Sequence, residues 1–121
     1  MSKRILVVED HEDNRQILRD LLASAGYEMI EAGNGEDGVA AAAAQRPDLI
    51  LMDIQLPILD GYEATRQIKA NPALNAIPII VVTSYALSGD EEKARTAGCD
   101  AYVAKPYSPR QLLARIRDFL D

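Results

Sequence analysis

The stretch that decides the fold is Leu49-Ile50-Leu51-Met52-Asp53, four apolar residues in a row followed by an acid. An apolar run without polar alternation is typical of a β-strand covered on both faces, as in a parallel sheet packed between helices. Four further short runs predict four more strands, at Ile5–Val8, Glu28–Ala32, Ile77–Val82 and Ala101–Ala104.

Segments with helical spacing separate these runs. One apolar stripe, which Gly26 ends, consists of Ile17, Leu18, Leu21, Leu22 and Ala25. A second stripe, near the end of the chain, consists of Leu112, Leu113, Ile116, Phe119 and Leu120. Capping patterns predict further helix starts at Asn34, Asp60, Ser88 and Ser108. The run Ala40–Ala44 is expected to let its helix pack close to the sheet. Five strand–helix alternations predict a doubly wound α/β fold, a five-stranded parallel sheet in the order 2-1-3-4-5.

Length and charge limit the possible functions. The 121 residues suit a single domain spanning residues 1–121. The formal net charge of −6 disfavours nucleic acid and anionic membranes as partners, because both attract positive surfaces. Cys99 is the only cysteine and cannot form an internal disulfide, which predicts a cytoplasmic protein.

Polar residues follow four of the five strands. They are Glu9 and Asp10, then Asp53, then Thr83-Ser84, and finally Lys105-Pro106. Ligands of open parallel sheets bind beyond the carboxyl ends of the strands, so these groups are expected to converge. Two carboxylates about 4 Å apart repel by roughly 4 kcal/mol at an effective dielectric near 20, which calls for a compensating cation. Oxygen-only ligands favour magnesium, with manganese as the alternative, over zinc.

These residues resemble the receiver domains of two-component response regulators, of the chemotaxis-regulator type with a flavodoxin-like fold. The resemblance runs from Ile5 to Leu120 and is strongest to stand-alone receivers and to receivers attached to hybrid kinases. Its motifs are Val8-Glu9-Asp10, Leu51-Met52-Asp53, Leu56-Pro57-Ile58-Leu59-Asp60-Gly61, Val82-Thr83-Ser84, Gly98-Cys99-Asp100-Ala101-Tyr102 and Lys105-Pro106.

The resemblance implies a role for each site residue. Asp53 takes a phosphoryl group from a histidine kinase or a phosphotransfer protein. Asp10, Asp53 and the backbone carbonyl of Gln55 bind magnesium, with Glu9 acting through water. Lys105 pairs with the phosphoryl oxygens. The Thr83 hydroxyl and the Ser84 amide donate to the same group.

The resemblance also implies how the signal leaves the site. Tyr102 turns inward from an exposed rotamer when Thr83 moves toward phosphate; the alternative is an ordinary half-buried strand tyrosine. The fourth helix, fifth strand and fifth helix then form the face for a downstream protein. Four arginines, Arg95, Arg110, Arg115 and Arg117, could make this face locally basic.

The chain is thus expected to be a phosphoacceptor signalling domain rather than an enzyme, one that assists its own phosphorylation and slow autodephosphorylation. A cis bond between Lys105 and Pro106 is a further expectation.

Two positions, Glu9 and Ser84, depart from the pattern common among the receivers that the chain resembles. Glu9 stands where relatives often have aspartate, and Ser84 where many have alanine. His11 is the only histidine, and its expected state is solvated or capping rather than ligating.

Other classes of protein fit less well. A phosphatase similar to the haloacid dehalogenases needs an aspartate two residues after the nucleophile, where this chain has Gln55. A flavin binder needs a Ser/Thr/Gly-rich phosphate loop after the first strand, where this chain has Glu9, Asp10, Glu12 and Asp13. A pseudo-receiver that only binds partners would usually have lost an acid or the lysine.

Overall fold

The computed structural model describes residues 2–83, 90–105 and 107–120, in which strands and helices alternate. The strands are β1 (Arg4–Val8), β2 (Glu28–Ala32), β3 (Leu49–Asp53), β4 (Ile79–Thr83) and β5 (Ala101–Ala104). The helices are α1 (Glu12–Ser24), α2 (Gly35–Gln45), α3 (Gly61–Ala70), α4 (Asp90–Ala97) and α5 (Pro109–Leu120).

The five strands form one parallel sheet in the order β2-β1-β3-β4-β5, which confirms the predicted fold. Strand order reverses at β1, whose neighbours are β2 and β3. The register places Val8 beside Met52 and Asp53 beside Val82. The carboxyl ends of β1, β3 and β4 therefore lie side by side, and the residues that follow them share one edge of the sheet.

Four strand boundaries differ from the sequence prediction, and the first is that β1 begins at Arg4 rather than Ile5. The fourth strand begins at Ile79 rather than Ile77, because the Ile77 N–H donates to the Leu74 carbonyl at 3.0 Å and Pro78 has no N–H to offer the sheet. At their C-terminal ends, β3 and β4 each run one residue further than predicted, to Asp53 and to Thr83. Both side chains are thus held by strand backbone, which fixes them more firmly than a loop does.

Apolar side chains cover both faces of the sheet. On one face, Leu18 and Leu22 of α1 pack with Leu112 and Ile116 of α5. On the other face, α2, α3 and α4 contribute Ala42, Ala64, Ile68 and Ala94. Ile17 and Phe119, which the helical spacing placed in the apolar stripes, are 60% and 39% exposed. They lie at the edges of their stripes, where the helix turns away from the sheet.

The helix starts follow the predicted caps wherever the structure describes them. Asn34 accepts from the Asp37 N–H at 2.7 Å, and Asp60 accepts from the Glu63 N–H at 2.9 Å. The Ser108 hydroxyl accepts from the Gln111 N–H at 3.0 Å. The proposed cap at Ser88 lies outside the described residues. At the end of α1, the Gly26 N–H donates to the Ala23 carbonyl, as a helix C-terminal motif requires.

Close packing of α2 on the sheet comes from a glycine rather than from the whole alanine run. A Cβ at Gly38 would lie 2.9 Å from the Val8 methyl groups, so only glycine lets the helix approach β1 this closely. Within Ala40–Ala44, Ala42 is fully buried, whereas Ala40, Ala43 and Ala44 are exposed. Ala41 is half-buried and packs against the same cluster as Ala42, so these two alanines also contribute to the close packing expected for the run.

Candidate functional site

Three strand ends and the β5–α5 loop bring the predicted polar residues to one edge of the sheet. Glu9 and Asp10 follow β1, Asp53 ends β3 and Thr83 ends β4. Lys105 comes directly after β5, and its N–H donates to the Thr83 carbonyl at 2.6 Å. The convergence expected from the sequence is present.

Asp53 lies at the centre of this group and is only 7% exposed. Lys105 Nζ lies 3.5 Å from Asp53 Oδ2, and the Gln55 N–H donates to Oδ1 at 3.3 Å. Behind Asp53, α3 begins directly against its backbone: a Cβ at Gly61 would lie 2.1 Å from the Asp53 carbonyl oxygen. The acceptor candidate is thus fixed through its backbone by β3 and α3, and through its side chain by Lys105.

Glu9 is the second buried acid, 3% exposed. Its Oε2 lies 3.4 Å from the same Lys105 Nζ, while Oε1 accepts from the His11 N–H and from Asn14 Nδ2, each at 3.2 Å. Asn14 was missed by the sequence analysis. Its position three residues after His11, the N-cap of α1, places it in the first turn, where side chains reach back to the helix start.

The two buried acids share a hydrogen bond and one lysine, and this displaces their pKa values in opposite directions. Burial, together with the hydrogen bond and the charge of Glu9, raises the pKa of Asp53 to about 7. Burial also acts to raise the pKa of Glu9, but hydrogen bonds from Asp53, Asn14 and His11 and the charge of Lys105 outweigh it and hold that pKa below its ordinary value. Lys105 loses hydration by burial, yet the charges of Asp53 and Glu9 raise its pKa. Without metal, the pair therefore keeps one proton on Asp53 well above the pH at which an ordinary aspartate loses it.

Asp10 offers an oxygen with no hydrogen bond. Its Oδ1 is buried and has no hydrogen-bond partner among the described residues, and a carboxylate oxygen left in this state is costly. Carboxylate oxygens of Glu9 and Asp10 and a ring nitrogen of His11 all lie within 4.8 Å of one another. The unsatisfied oxygen and the neighbouring acids fit a hard divalent cation.

His11 takes the solvated state expected for it. Its side chain is 72% exposed and makes no capping hydrogen bond, with Nε2 at 3.7 Å from Asp10 Oδ1. Gln55 is exposed and follows Asp53 by two residues. Magnesium binding by its carbonyl stays a prediction.

The predicted switch residues lie on neighbouring strands. Thr83 is 1% exposed at the end of β4, and Tyr102 pairs in register with Val81, two residues earlier. Tyr102 is half-buried and packs against the apolar cluster under α3 and α4, which fits the alternative of an ordinary half-buried strand tyrosine; its role as a switch stays a prediction. The predicted Ser84 amide donor and the cis bond at Pro106 lie outside the described residues.

A cavity of about 480 Å³ opens beside Asp53, between α1 and α5. Apolar side chains, among them Ile17, Leu18 and Tyr107, form its walls, and Asp53, Glu9 and Lys105 line it as well. The sequence analysis did not single out Tyr107. Burial raises the pKa of its phenol against the opposing charge of Lys105, and the charges of Glu9 and Asp53 act in the same direction as burial.

We predict that the metal-free protein becomes less stable as the pH rises from about 5 to about 8. The pKa of Asp53 is raised in the folded state, so folding takes up a proton, and the associated stability is lost as the pH rises from the ordinary aspartate pKa of 3.8 toward about 7. The contribution of Glu9 has the opposite sign and is lost only below its ordinary value of 4.5, outside this range. Urea unfolding in a chelator should show the decline.

Asp53→Asn supplies the control for this pH dependence, because it removes the titrating group. The variant should unfold at a higher temperature than the wild type at about pH 8 and lose most of the decline. An equal decline in both proteins would show that another group is responsible.

Sheet order, the buried acid pair and the shared lysine together define a class, the α/β receiver domains. A family model for the response regulator receiver domain matches residues 5–117. The chain belongs to the response regulator receiver domain family.

Full-length relatives agree with this assignment. The chain is 45% identical over 120 residues to the polar-differentiation response regulator DivK of Brucella anthropi, covering 99% of this chain and 98% of that protein. DivK of Brucella ovis is 43% identical with the same coverage.

Solved structures agree as well. The receiver domain of the sensor histidine kinase PA1611 from Pseudomonas aeruginosa, crystallised with a magnesium ion in its active-site cleft, is 39% identical, with a TM-score of 0.92 over 99% of this chain and 98% of that one. Chemotaxis protein CheY4 of Vibrio cholerae is 25% identical, with a TM-score of 0.91 over 98% and 99%.

This membership establishes the general function. The chain is a response regulator receiver of two-component signal transduction, a signalling domain rather than a classical enzyme, and phosphoryl acceptance is the standard function of its family. Receivers of this family pair with histidine kinases or phosphotransfer proteins. Among the described residues, no helix is both long enough and apolar enough to span a bilayer.

Proposed function

We propose that Asp53 is the phosphoacceptor of this chain and that it reacts in the presence of magnesium with a phosphohistidine of a kinase or phosphotransfer protein. The observation that carries the proposal is the position of Lys105, whose ammonium lies 3.4–3.5 Å from both buried acids at the edge where the strands end. Of the acids in this group, Asp53 is the one held in place by β3, by α3 and by Lys105.

Each residue has a task in the transfer. An Asp53 carboxylate oxygen attacks phosphorus in line, the P–N bond to the donor imidazole breaks, and the imidazole nitrogen takes the electron pair and a proton. Lys105 balances the charge on the phosphoryl oxygens, and the buried Thr83 hydroxyl donates to one of them. Asp10, Asp53 and the Gln55 carbonyl, with Glu9 acting through water, would hold a magnesium ion, which would supply further positive charge at these oxygens. Because Asp53 must be ionised to attack, the shared proton has to leave first.

Acetyl phosphate tests the proposed chemistry without a protein partner. In the presence of magnesium, intact-mass spectrometry should show one added phosphoryl group, sensitive to hydroxylamine as an acyl phosphate is. Manganese should support the same reaction, since it accepts the same oxygen ligands. A chain that stays unlabelled with both ions would refute the proposal. The decay of the labelled protein after acetyl phosphate is removed measures the slow autodephosphorylation that we also propose.

We further propose that phosphorylation changes the surface formed by α4, β5 and α5, where a downstream protein binds. Arg95, Arg110, Arg115 and Arg117 are exposed on its two helices, which favours an acidic partner.

The net charge of −6 argues against nucleic acid and membranes as targets, and the single cysteine favours the cytoplasm. We take residues 1–121 as one receiver domain, a proposal supported by the single sheet and by the family match over residues 5–117.

Thr83→Ala should separate phosphorylation from the surface change. A phosphoryl group adds about −1.5 to −2 charge, and its oxygens draw the Thr83 side chain toward Asp53 through the threonine hydroxyl. We expect the variant to accept a phosphoryl group but to lose most of the chemical-shift changes around Tyr102 and α4 in NMR spectra of the phosphorylated or beryllofluoride-bound protein.

Thr83→Ser is the matched control, because it keeps the hydroxyl and should keep the shift changes. The full wild-type pattern of shifts in Thr83→Ala would show that this coupling mechanism is wrong.

A further inference from the structure

Arg15, in the second turn of α1, lies directly behind the acidic edge. Its Nη1 donates to the backbone carbonyl of Glu9 at 2.7 Å, Nη2 donates to Glu12 Oε2 at 2.6 Å, and Nε lies 3.3 Å from Glu31 Oε1. The side chain is 18% exposed, so these bonds are largely shielded from water. One guanidinium therefore joins α1, β2 and the turn after β1.

The carbonyl that Arg15 holds belongs to the peptide joining Glu9 to Asp10. On the other side of Glu9, its N–H donates to the Ala32 carbonyl at 3.0 Å, which continues the pairing of β1 with β2. With the carbonyl fixed as well, the Glu9–Asp10 peptide cannot rotate freely. The direction in which the Asp10 carboxylate leaves the backbone depends on this peptide.

We propose that Arg15 is a positioning residue for the divalent-cation site: it fixes the Glu9–Asp10 peptide so that the Asp10 carboxylate points to the cation. This inference rests on the magnesium site proposed above. Arg15 touches neither the cation nor the phosphoryl group, and it acts only through the peptide it holds. Residues that orient metal ligands in this way commonly change metal affinity by about 10- to 100-fold when they are replaced.

A merely structural role for Arg15 makes a different prediction, and Arg19 provides the comparison. Arg19 lies one turn further along α1 and pairs with the same two acids, Glu12 at 3.3 Å and Glu31 at 2.5 Å. No hydrogen bond links it to the backbone of the turn after β1 among the described residues. Loss of either arginine removes one positive charge and two ion pairs, but only loss of Arg15 frees the Glu9 carbonyl.

The direction of the change in Mg²⁺ affinity distinguishes a positioning role for Arg15 from a purely electrostatic one. Removing a cation near an acidic site strengthens its attraction for Mg²⁺, so simple electrostatics predicts tighter binding in both variants. Positioning predicts weaker binding in Arg15→Met alone. We expect Arg15→Met to raise the Mg²⁺ dissociation constant about tenfold and Arg15→Lys about threefold, because an ammonium cannot hold the carbonyl and both acids at once. Arg19→Met should remain within about twofold of the wild type or bind more tightly.

The test is isothermal titration of the whole chain with MgCl₂, for the wild type, Arg15→Met, Arg15→Lys, Arg19→Met and Asp10→Asn. A second readout needs no metal: in ¹H–¹⁵N spectra of the metal-free proteins, the Asp10 amide should shift in Arg15→Met and stay near its wild-type position in Arg19→Met. Thermal unfolding of each variant establishes that it is folded at the temperature of the titration.

The outcomes distinguish the two proposals. If the wild type binds Mg²⁺, Asp10→Asn binds it weakly, and the Arg15 variants match Arg19→Met, the positioning role is overturned while the magnesium site stands. If the wild type fails to bind Mg²⁺, or Asp10→Asn binds it as tightly as the wild type, the magnesium site and the inference fall together. Should Arg15→Met fail to fold, Arg15→Lys, which keeps the charge, decides the question by the same comparison.

Discussion

Asp53→Asn is expected to abolish labelling by acetyl phosphate. An amide cannot form the acyl phosphate, and the other acids of the site occupy different positions: Glu9 is fixed by Asn14 and the His11 N–H, and Asp10 lies beyond it on the turn after β1. The effect should be complete loss of the added phosphoryl mass rather than a slower reaction. Intact-mass spectrometry after incubation with acetyl phosphate and magnesium measures it.

Asp20→Asn is the matched control for this loss. It makes the same chemical change on the exposed face of α1, where Asp20 accepts from Gln16, and it should label like the wild type. Stoichiometric labelling of Asp53→Asn at the wild-type rate would overturn the assignment of the acceptor. Because the variant also removes a buried like-charge contact with Glu9, it should fold well, so loss of labelling cannot be attributed to unfolding.

Gly61→Ala should destabilise the fold by about 3 kcal/mol, at the upper end of what added volume costs in a packed interior. The new methyl group would lie 2.1 Å from the Asp53 carbonyl oxygen and 2.8 Å from the Ile54 Cα. Both are backbone atoms, so the clash can be relieved only by moving β3 or the start of α3. Urea unfolding followed by circular dichroism measures the change.

Gly33→Ala is the comparison for this loss of stability. Its added methyl group would meet one atom, Arg15 Nη1, at an ordinary contact distance of 3.6 Å, and we expect a change of less than about 1 kcal/mol. If Gly61→Ala were as stable as Gly33→Ala, α3 would have room to move away from Asp53. The tight backbone contact behind Asp53 would then not hold in solution.

The fold could be predicted from the sequence because its signals are local. Apolar runs without alternation, caps such as Asn34 and Asp60, and the acids and lysine after the strands each depend on a few neighbouring residues. Ile58 is a residue whose backbone conformation and exposure such local signals do not predict. It has a φ of 71° and is 74% exposed, although a β-branched apolar residue gives no indication of a left-handed backbone or of an exposed position.

The finer features of the site could not be predicted because they depend on distances between strands. Only the packed sheet places Glu9 close enough to Asp53 to share a proton and raise its pKa to about 7. Arg15 reaches the Glu9 carbonyl from one side of the helix, and Tyr107 enters the cavity wall from the start of α5. The half-buried position of Tyr102 likewise depends on how α3 and α4 pack over β4 and β5.

The wide sequence separation of the site residues has a consequence during protein synthesis. Lys105 follows Glu9 by 96 residues, and β5, which positions it, is the last strand to be made. A chain still emerging from the ribosome can carry Glu9, Asp10 and Asp53 yet lack the lysine that balances their charges. In the folded domain, Lys105 reaches both buried acids because β5, which precedes it, pairs with β4 in the sheet. The charge balance of the buried acids is therefore completed only when the final strand joins the sheet.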